Sequence, residues 1–528
     1  MSVAPAQAAG RGDALERAFA AGRISRAQYV FERARSLFAL QAVRHEYGGV
    51  AKPESRSATP ILRDLAAAAP KLPARERRTA TAILARPTDG SSDLDGYTVP
   101  RRYFRHTCTT RFCIHWVTRS RDAPSLRDHN PRNGIPDWVD KTRRTMNRVW
   151  DVEIDDIGYR RPRRDDYGGH RGGNPNGKLD VFVDDVGDDG LYGYCTTDDP
   201  TARRANVYRV AGYCVFDDDF SRAQFGGGGA ATGVAALKVT AAHETHHAEQ
   251  FNYDYREDRW FMEATATNME AVVYPSIHDN YQFFRTSPLS PTSPSHPIDE
   301  FGLSSTNAYG SWIFFRFLSE YFDHPTAVLD NQIVRRIWNR ASDTRTSNGG
   351  MYSTEAIEAV LDTHTPPATF FEVFRDFGVV NARPGAWYMD GAGYPKPGAA
   401  SPGLARGTQT LRAGVQHMAT RYFALIPPEG ATSLTVSVDL PDGAPSLAVT
   451  LLLFKKNAGV TKEPVPLNAA NDGSVNVGSF TPETTRKVLL VLTNAGTEFD
   501  CGTHRMYSCD GTPLDDVRRG RYFTLAVS

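Results

Sequence analysis

The sequence predicts an α+β fold, with a helical segment in front of the mixed domain and a β-sandwich behind it. Three observations support this prediction: apolar residues first recur at helical spacing, short strands then mix with helices, and finally only short strands separated by turn residues remain. At 528 residues the chain is also too long for a single core. We therefore expect several domains.

The changes of pattern set the predicted domain boundaries. In chain order we expect a signal-peptide remnant or disordered tail at 1–10, a helical leader at 11–95, an α+β domain at 96–385, a linker at 386–404 and an accessory β-sandwich at 405–528. The tail has two interpretations, because Ala6, Gln7 and Ala8 match the small-residue end of a signal peptide although no apolar core precedes them.

The leader is predicted to be helical from its capping residues. Asp13 is placed to cap a first helix, and Ser25 forms a capping box with Gln28 at the start of a second. Residues 11–90 carry 15 basic and 8 acidic side chains, so the rest of this neutral chain carries the balancing negative charge. An oppositely charged docking surface would suit such a leader. It is either a prosegment that covers an active site or a packing subdomain without a regulatory role.

The α+β domain begins with strands and ends with helices. Strands are predicted at 112–118, 178–185 and 212–220, and helices at 236–252, 260–273, 309–322, 328–340, 354–362 and 367–379. Proline, serine and glycine interrupt the helical pattern at 286–297 and again at 383–403, which are predicted loops. Beyond them, short apolar runs separated by turn residues predict the β-sandwich, whose function does not follow from its fold.

The overall charge and hydropathy exclude two classes of partner. Lysine plus arginine and aspartate plus glutamate number 61 each, so no excess charge favours nucleic acid or an anionic bilayer surface. The longest apolar run, residues 449–454, has the length of a strand and not of a membrane span. We expect neither nucleic-acid binding nor a membrane span.

The cysteines indicate an oxidising compartment. All six fall into neighbouring couples, and neither C-x-x-C nor a Cys/His cluster occurs. An even, locally paired set predicts three disulfides and therefore export, the alternative being six reduced cysteines in the cytosol. The predicted bonds are Cys108–Cys113, Cys195–Cys214 and Cys501–Cys509.

The segment AAHETHHAEQF holds the strongest chemical signal. His243, Glu244 and His247 match H-E-x-x-H in a stretch without proline or glycine, which predicts one continuous helix. The i, i+4 spacing places both imidazoles on one face, where their nitrogens can bind a single zinc ion. Glu244 lies about 100° around the helix from His243 and is the expected general base.

A catalytic zinc needs a third protein ligand. The metzincin motif would continue with glycine and histidine where this chain has Gln250 and Tyr253. Glu263 lies instead among small and apolar residues of a second predicted helix, where a carboxylate requires a partner. Two histidines and a glutamate from the following helix form the zinc site of thermolysin-type enzymes. We therefore predict His243, His247 and Glu263 as ligands of Zn²⁺.

The same segments carry a resemblance to a known family. HETHHAEQFNYDYREDRWFMEATATNMEAVVYP, with CTTRFCIHWVT, NPRNGIPDWVD, GKLDVFVDD, GLYGYC, YCVFDDDF and YGSWIFFRFL, resembles secreted bacterial zinc metalloproteases of the gluzincin type, of actinobacterial and myxobacterial kind. The resemblance spans about residues 100–325. It implies a zincin-like catalytic domain for 96–385, the same three zinc ligands, and Glu244 as the base.

Several neighbouring residues are assigned by the resemblance or left without a role. Four residues after the ligand glutamate, where thermolysin has an aspartate that orients the first histidine, this chain has Thr267, so Thr267 or Glu270 is expected to do so. Tyr309 resembles in placement the tyrosine that donates to the oxyanion in gluzincin aminopeptidases, although a packed aromatic at a helix start is the alternative. His246 falls outside the ligand face and is expected to be structural or on the surface, and we expect Glu249 to be solvated.

A calcium site is predicted as an alternative use of one loop. The loop from Asp128 to Asp140 presents oxygen ligands around a glycine turn, but Arg132 occupies a position where a ligand would help. The candidate ligands are Asp128, Asn130, Asn133, Asp137 and Asp140. A capped turn without a metal explains the same composition.

Taken together, these features predict a secreted zinc-dependent endopeptidase acting on protein or peptide substrates. An aminopeptidase is one alternative, although no GxMEN-like motif is present to bind a free amine. A secreted binding protein with a vestigial metalloprotease domain is the other. The intact H-E-x-x-H argues against it, because loss of the base is the simplest route to inactivation.

Overall fold

A computed structural model of the chain describes residues 12–89, 96–165, 177–204, 206–226, 230–302, 305–323, 331–342, 351–442, 446–516 and 523–528. Helices and several β-sheets are both present in these residues, which confirms a mixed α/β fold. The predictions made for residues 1–10 lie outside the described residues, and the predicted domain boundaries stay predictions.

Five helices make up the leader. They are α1 (Ala14–Ala20), α2 (Arg26–Phe38), α3 (Leu40–Tyr47), α4 (Ala58–Ala68) and α5 (Ala74–Ile83). Asp13 caps α1 and Ser25 caps α2, and the capping box of Ser25 with Gln28 is confirmed. A third helix forms where two were predicted, because the backbone of Ala39 (φ −140°, ψ 43°) leaves the helical region and separates α2 from α3.

A five-stranded sheet lies between the leader and the helices that carry the predicted site. Its strands are β1 (Phe104–Cys108), β2 (Phe112–Val117), β3 (Leu179–Asp184), β4 (Gly193–Thr196) and β5 (Tyr213–Asp217), in the order β1-β2-β3-β5-β4. The three central strands are the predicted ones and run parallel, whereas β1 and β4 are antiparallel edges. Phe182 packs with the leader, and its neighbours Val181 and Val183 pack with the helices. Both faces of the sheet are therefore buried, as in other parallel sheets.

Nine further helices follow or interleave with these strands in the described residues. They are α6 (Asp137–Trp150), α7 (Arg222–Phe225), α8 (Gly233–Asp254), α9 (Arg259–Val273), α10 (Asn307–Gly310), α11 (Trp312–Leu318), α12 (Gln332–Ala341), α13 (Ser353–Asp362) and α14 (Phe370–Asn381). The helix predicted at 309–322 divides into α10, α11 and a π-helical turn at Ser319–Asp323. A Cβ on Gly310 would lie 2.5 Å from the carbonyl oxygen of Thr286, so this close approach requires glycine at the break.

The C-terminal part is built from strands. They are β6 (Gly407–Leu411), β7 (Ala419–Leu425), β8 (Leu434–Asp439), β9 (Leu447–Lys455), β10 (Val460–Pro464), β11 (Asp472–Val477), β12 (Thr485–Asn494), β13 (Phe499–Asp500), β14 (Thr512–Pro513) and β15 (Phe523–Val527). Two four-stranded sheets, β10-β9-β12-β7 and β11-β8-β15-β6, bury apolar side chains in one shared core. This is the layered arrangement expected of a β-sandwich.

The three predicted disulfide pairings are confirmed. The bonds join Cys108 to Cys113, Cys195 to Cys214, and Cys501 to Cys509. They are consistent with the predicted oxidising, extracellular compartment. Among the described residues, no helix combines the length and the apolar character that crossing a membrane requires.

A buried histidine joins the C-terminal strands to the helical part. His417 Nε2 lies 2.9 Å from Asp299 Oδ1, and His417 Nδ1 lies 2.7 Å from Asp516 Oδ1. Burial alone would lower the pKa of His417, but Asp299 and Asp516 outweigh burial and raise it to about 10. The imidazolium is therefore the favoured form and bridges two carboxylates.

We expect His417→Gln to destabilise the protein, and more so in mild acid than in base. The pKa is about 10 in the folded chain and about 6.5 in an unfolded one, so the stabilisation is complete below about pH 6.5 and is lost as the pH rises through 10. Removing one partner of a buried pair costs about 3–5 kcal/mol. Denaturant unfolding at pH 6 and pH 10 measures the difference, with His296→Gln as the control because that side chain is 40% exposed. An equal loss at both pH values would contradict the prediction.

Candidate metal centre

Helices α8 and α9 carry the predicted site through the interior of the protein. After Gly233, α8 contains neither proline nor glycine up to Asp254, so the H-E-x-x-H motif lies on one uninterrupted helix, as predicted. The edge strand β4 runs close beside it: a Cβ on Gly193 would lie only 3.1 Å from Cγ2 of Thr240. The motif therefore lies between a following helix and the edge strand β4.

The three predicted ligands converge on one point. His243 Nε2 lies 3.2 Å from Glu263 Oε2, and His247 Nε2 lies 3.5 Å from Glu263 Oε1. Donor atoms about 2.0–2.2 Å from a tetrahedral zinc are separated by about 3.3–3.5 Å. The two histidine–glutamate separations, one to each oxygen of Glu263, are thus close to those expected between ligands of one zinc ion.

Both imidazoles are oriented by hydrogen bonds at their other nitrogen. His243 Nδ1 lies 2.9 Å from Glu270 Oε1, so Glu270 is the one of the two predicted orienting residues that makes this contact. His247 Nδ1 lies 2.7 Å from Gln250 Oε1, and the Gln250 amide nitrogen donates to the carbonyl oxygen of Met262. Because Gln250 thus presents its oxygen, His247 donates from Nδ1, which directs its Nε2 at the centre. Such outer hydrogen bonds are typical of metal-binding histidines.

Several atoms of the centre are buried without a hydrogen-bond partner. Within the described residues these are Nε2 of His247, Oε1 of Glu263 and Oε2 of Glu270. Leaving such groups unpaired is costly, and more so for charged groups. A divalent cation between His247 and Glu263 would satisfy the first two atoms, so the residues present fit a zinc ion.

The electrostatics of the centre favour positive charge. Burial raises the pKa of Glu263, but the neighbouring His247 and His243 outweigh burial and hold it at about 2. Burial lowers the pKa of His243, but its contacts with Glu263 and Glu270 raise it to about 10. In the absence of a metal, a proton on His243 supplies the charge that the carboxylates attract.

Glu244 lies close to the two predicted histidine ligands. One ligand atom each from His243, Glu244 and His247 lies within 4.8 Å of the others. Burial raises the pKa of Glu244 against the opposing effect of His247 and His243. A raised pKa suits a group that must both accept and return a proton near neutral pH.

Tyr309 lies at the centre, as predicted. Its ring stacks on His243 with 6.0 Å between the ring centroids, and its hydroxyl lies 3.2 Å from Ser57 Oγ. Burial and the carboxylate of Glu263 raise the pKa of Tyr309 well above its usual value. The hydroxyl therefore stays protonated and can act as a hydrogen-bond donor.

The leader covers this centre. Thr59 Oγ1 donates to Glu244 Oε2 at 2.8 Å and accepts from the Cys195 backbone N–H of β4, also at 2.8 Å. On the same side, the Tyr192 N–H donates to the Ser55 carbonyl at 3.4 Å. His243, Glu244, His247 and Glu263 are consequently at most 2% exposed. Sequence reasoning identified the leader but not Ser57 or Thr59, because no local pattern marks a contact between such distant segments.

Arginines of the leader bind acidic residues of the rest of the chain. Arg56 contacts Glu270 at 2.9 Å and also pairs with Asp279, and its side chain is 6% exposed. Arg86 and Arg26 likewise pair with acidic residues outside the leader. The predicted docking of a basic leader on an oppositely charged surface is thus observed.

The loop proposed for calcium satisfies its carboxylates locally. The Asp128 carboxylate accepts from the N–H groups of Asn133 and Gly134, and Asp137 accepts from those of His129 and Asn130. These contacts are the ones expected of a capped turn. The calcium site stays a sequence prediction.

One expectation for the motif helix was wrong. Glu249 is 0% exposed, whereas it was expected to be solvated, and His246, expected to be structural or on the surface, is also 0% exposed. Neighbouring elements bury several faces of α8, which its local sequence does not reveal. The side chains of His246 and Glu249 meet Glu153 in a separate buried cluster.

Comparison with protein-family models and with curated proteins gave no match. Among solved structures, a family GH115 4-O-methyl-alpha-glucuronidase with specificity for decorated arabinogalactans aligns at 10% sequence identity with a TM-score of 0.13. The alignment covers 56% of this chain and 41% of that one. A likeness this small carries no argument about fold or activity.

Proposed function

We propose that the protein is a zinc-dependent endopeptidase, as the sequence predicts. The observation that supports this most is the convergence of the Nε2 atoms of His243 and His247 on the carboxylate of Glu263, with Glu244 beside them. Each of these imidazoles is fixed at its other nitrogen, which leaves Nε2 directed at the common point.

The residues of the centre divide the chemistry of peptide hydrolysis among them. When bound by His243, His247 and Glu263, zinc would act as a Lewis acid towards the scissile carbonyl and the attacking water. Glu244 accepts the proton of the attacking water and delivers it to the leaving amine. The protonated Tyr309 hydroxyl donates to the oxygen on which negative charge develops.

The path of the leader favours an endopeptidase over an aminopeptidase. The leader passes along the edge of β4, where Ser55 contacts Tyr192 and Thr59 contacts Cys195. It continues beyond both contacts. A substrate chain lying on the same edge would extend on both sides of Glu244. Peptides commonly bind to exposed strand edges through backbone hydrogen bonds, of which the Tyr192 N–H to Ser55 carbonyl contact is one.

In this proposal the leader is an inhibitory prosegment. Thr59 donates a hydrogen bond to the Glu244 carboxylate that the reaction needs, and the Ser57 hydroxyl lies in hydrogen-bond contact with the Tyr309 hydroxyl. The leader must therefore leave before substrate can enter. We infer that activity requires cleavage between the leader and the rest of the chain.

Glu263→Gln is expected to lose one equivalent of zinc per chain, because the amide supplies no negative charge to the shared coordination point. Elemental analysis after dialysis against buffered zinc measures the loss. Glu257→Gln is the matched control, since Glu257 is also a buried carboxylate next to α9 but accepts hydrogen bonds from Ser353 and Asp258. Full zinc content in Glu263→Gln would exclude Glu263 as a ligand.

The function itself is tested by digesting a peptide library with the zinc-loaded chain after cleavage between residues 90 and 95. We expect hydrolysis of internal bonds that a chelator abolishes. Release of single N-terminal residues would identify an aminopeptidase instead. Zinc binding without hydrolysis of any peptide would refute the proposed function and favour the alternative of a secreted binding protein with a vestigial metalloprotease domain.

A further inference from the structure

A second set of metal-ligating side chains lies on another face of the motif helix. His246 and Glu249 stand one turn apart on α8, and Glu153 approaches them from a π-helical stretch, Asp151–Asp156, that prolongs α6. One ligand atom of each of the three lies within 4.8 Å of the others. Single π-helical turns are rare and frequently occur at functional sites.

We propose that Glu153, His246 and Glu249 bind a second divalent transition-metal ion. The inference does not depend on the proposed peptidase activity. His246 Nδ1 lies 3.3 Å from Glu153 Oε2 and 3.3 Å from Glu249 Oε2. A charge-assisted hydrogen bond would be about 2.7–2.9 Å long, whereas two ligands of one tetrahedral ion are about 3.3–3.5 Å apart. Both observed distances match the separation expected for two ligands of one ion.

Burial makes unpartnered polar atoms in this cluster expensive. All three side chains are 0% exposed. Within the described residues, both oxygens of Glu153 and Oε1 of Glu249 have no hydrogen-bond partner apart from the contact of the two carboxyl groups with each other. His246 is the basic residue in contact with both carboxyl groups. A divalent cation between the three side chains would satisfy these oxygens together.

The donor set and its surroundings indicate which ion and which role. One imidazole nitrogen with carboxylate oxygens suits Zn²⁺ or Mn²⁺. The ring of Tyr159 stands edge-on to His246 at 4.8 Å, and that of Trp338 at 6.3 Å, so aromatic groups wall the cluster. An ion enclosed in this way has no position for substrate. It would tie the end of α6 to α8 and so support the helix that carries the catalytic motif.

The test is metal content of the full chain, loaded separately with Zn²⁺ and with Mn²⁺ and then dialysed. We expect two zinc equivalents per chain. Glu153→Gln/Glu249→Gln should lose one of them, because the paired amides keep the volume of the carboxylates but not their charge. His243→Ala/His247→Ala should lose the other and keep the ion at Glu153, and Glu257→Gln should keep both.

The outcomes distinguish this proposal from the proposed function. The second site would be overturned if the unmodified chain bound one equivalent, which His243→Ala/His247→Ala loses and Glu153→Gln/Glu249→Gln keeps. In that case the two carboxyl groups share a proton in place of the ion. That result leaves the catalytic zinc intact. If Glu153→Gln/Glu249→Gln fails to fold, the metal content of His243→Ala/His247→Ala still tests the proposal. One equivalent of either metal retained by that chain supports the second site, and no retained metal refutes it.

Discussion

Replacing Glu244 by glutamine is expected to reduce peptide hydrolysis by about 10²–10⁴-fold while zinc remains bound. The amide has the shape of the carboxylate but cannot accept a proton from the attacking water or return one to the leaving amine. The predicted ligands His243, His247 and Glu263 are untouched by the change. The expected result is therefore loss of turnover at constant metal content, measured on the chain after leader cleavage.

Two controls make this result specific. Glu257→Gln removes a buried carboxylate of the same region and should leave hydrolysis unchanged. Elemental analysis of Glu244→Gln should give the zinc content of the unmodified chain. Undiminished proteolysis by Glu244→Gln would show that Glu244 is not the base, and loss of zinc would show that it is a ligand.

The parts of the site that the sequence predicts are those determined by local geometry. His243 and His247 share a face because any α-helix places residues i and i+4 there. Glu263 was identified because a carboxylate inside a second buried helix requires a partner, and that partner is the histidine pair. The strands β2, β3 and β5 were predicted for a similar reason, since strands buried on both faces appear as continuous apolar runs.

The parts that were missed depend on contacts between distant segments. Whether His246 and Glu249 face water is decided by Glu153 and Tyr159, which precede them in the chain by three strands and the short helix α7. Likewise, the basic excess of the leader predicts that it docks on acidic residues but not that Arg56 selects Glu270. A pattern within one segment carries no information about which other segment covers it.

Cleaving the chain between residues 90 and 95 is expected to increase peptidase activity by about 10²–10⁴-fold on dilution. While the leader is covalently attached, its effective concentration at the centre is about millimolar, so the hydrogen bond from Thr59 to Glu244 is maintained. After cleavage the leader is a separate polypeptide that dissociates at nanomolar concentrations. A site for a specific protease inserted in this segment allows the same protein to be assayed before and after cutting, and equal activity in the two would contradict inhibition.

Adding the released leader back should inhibit the cut protein, and the strength of inhibition identifies the contacts responsible. Arg56→Ala in the leader leaves Glu270 and Asp279 without their buried partner, which costs about 3–5 kcal/mol and weakens inhibition by about 10²–10⁴-fold. Arg75→Ala is the matched control, because Arg75 is an exposed arginine of α5. Equal inhibition by both variants would mean that the leader binds without the Arg56 contact. Since Glu270 also orients His243, Arg56 connects the docking of the leader directly to a predicted metal ligand.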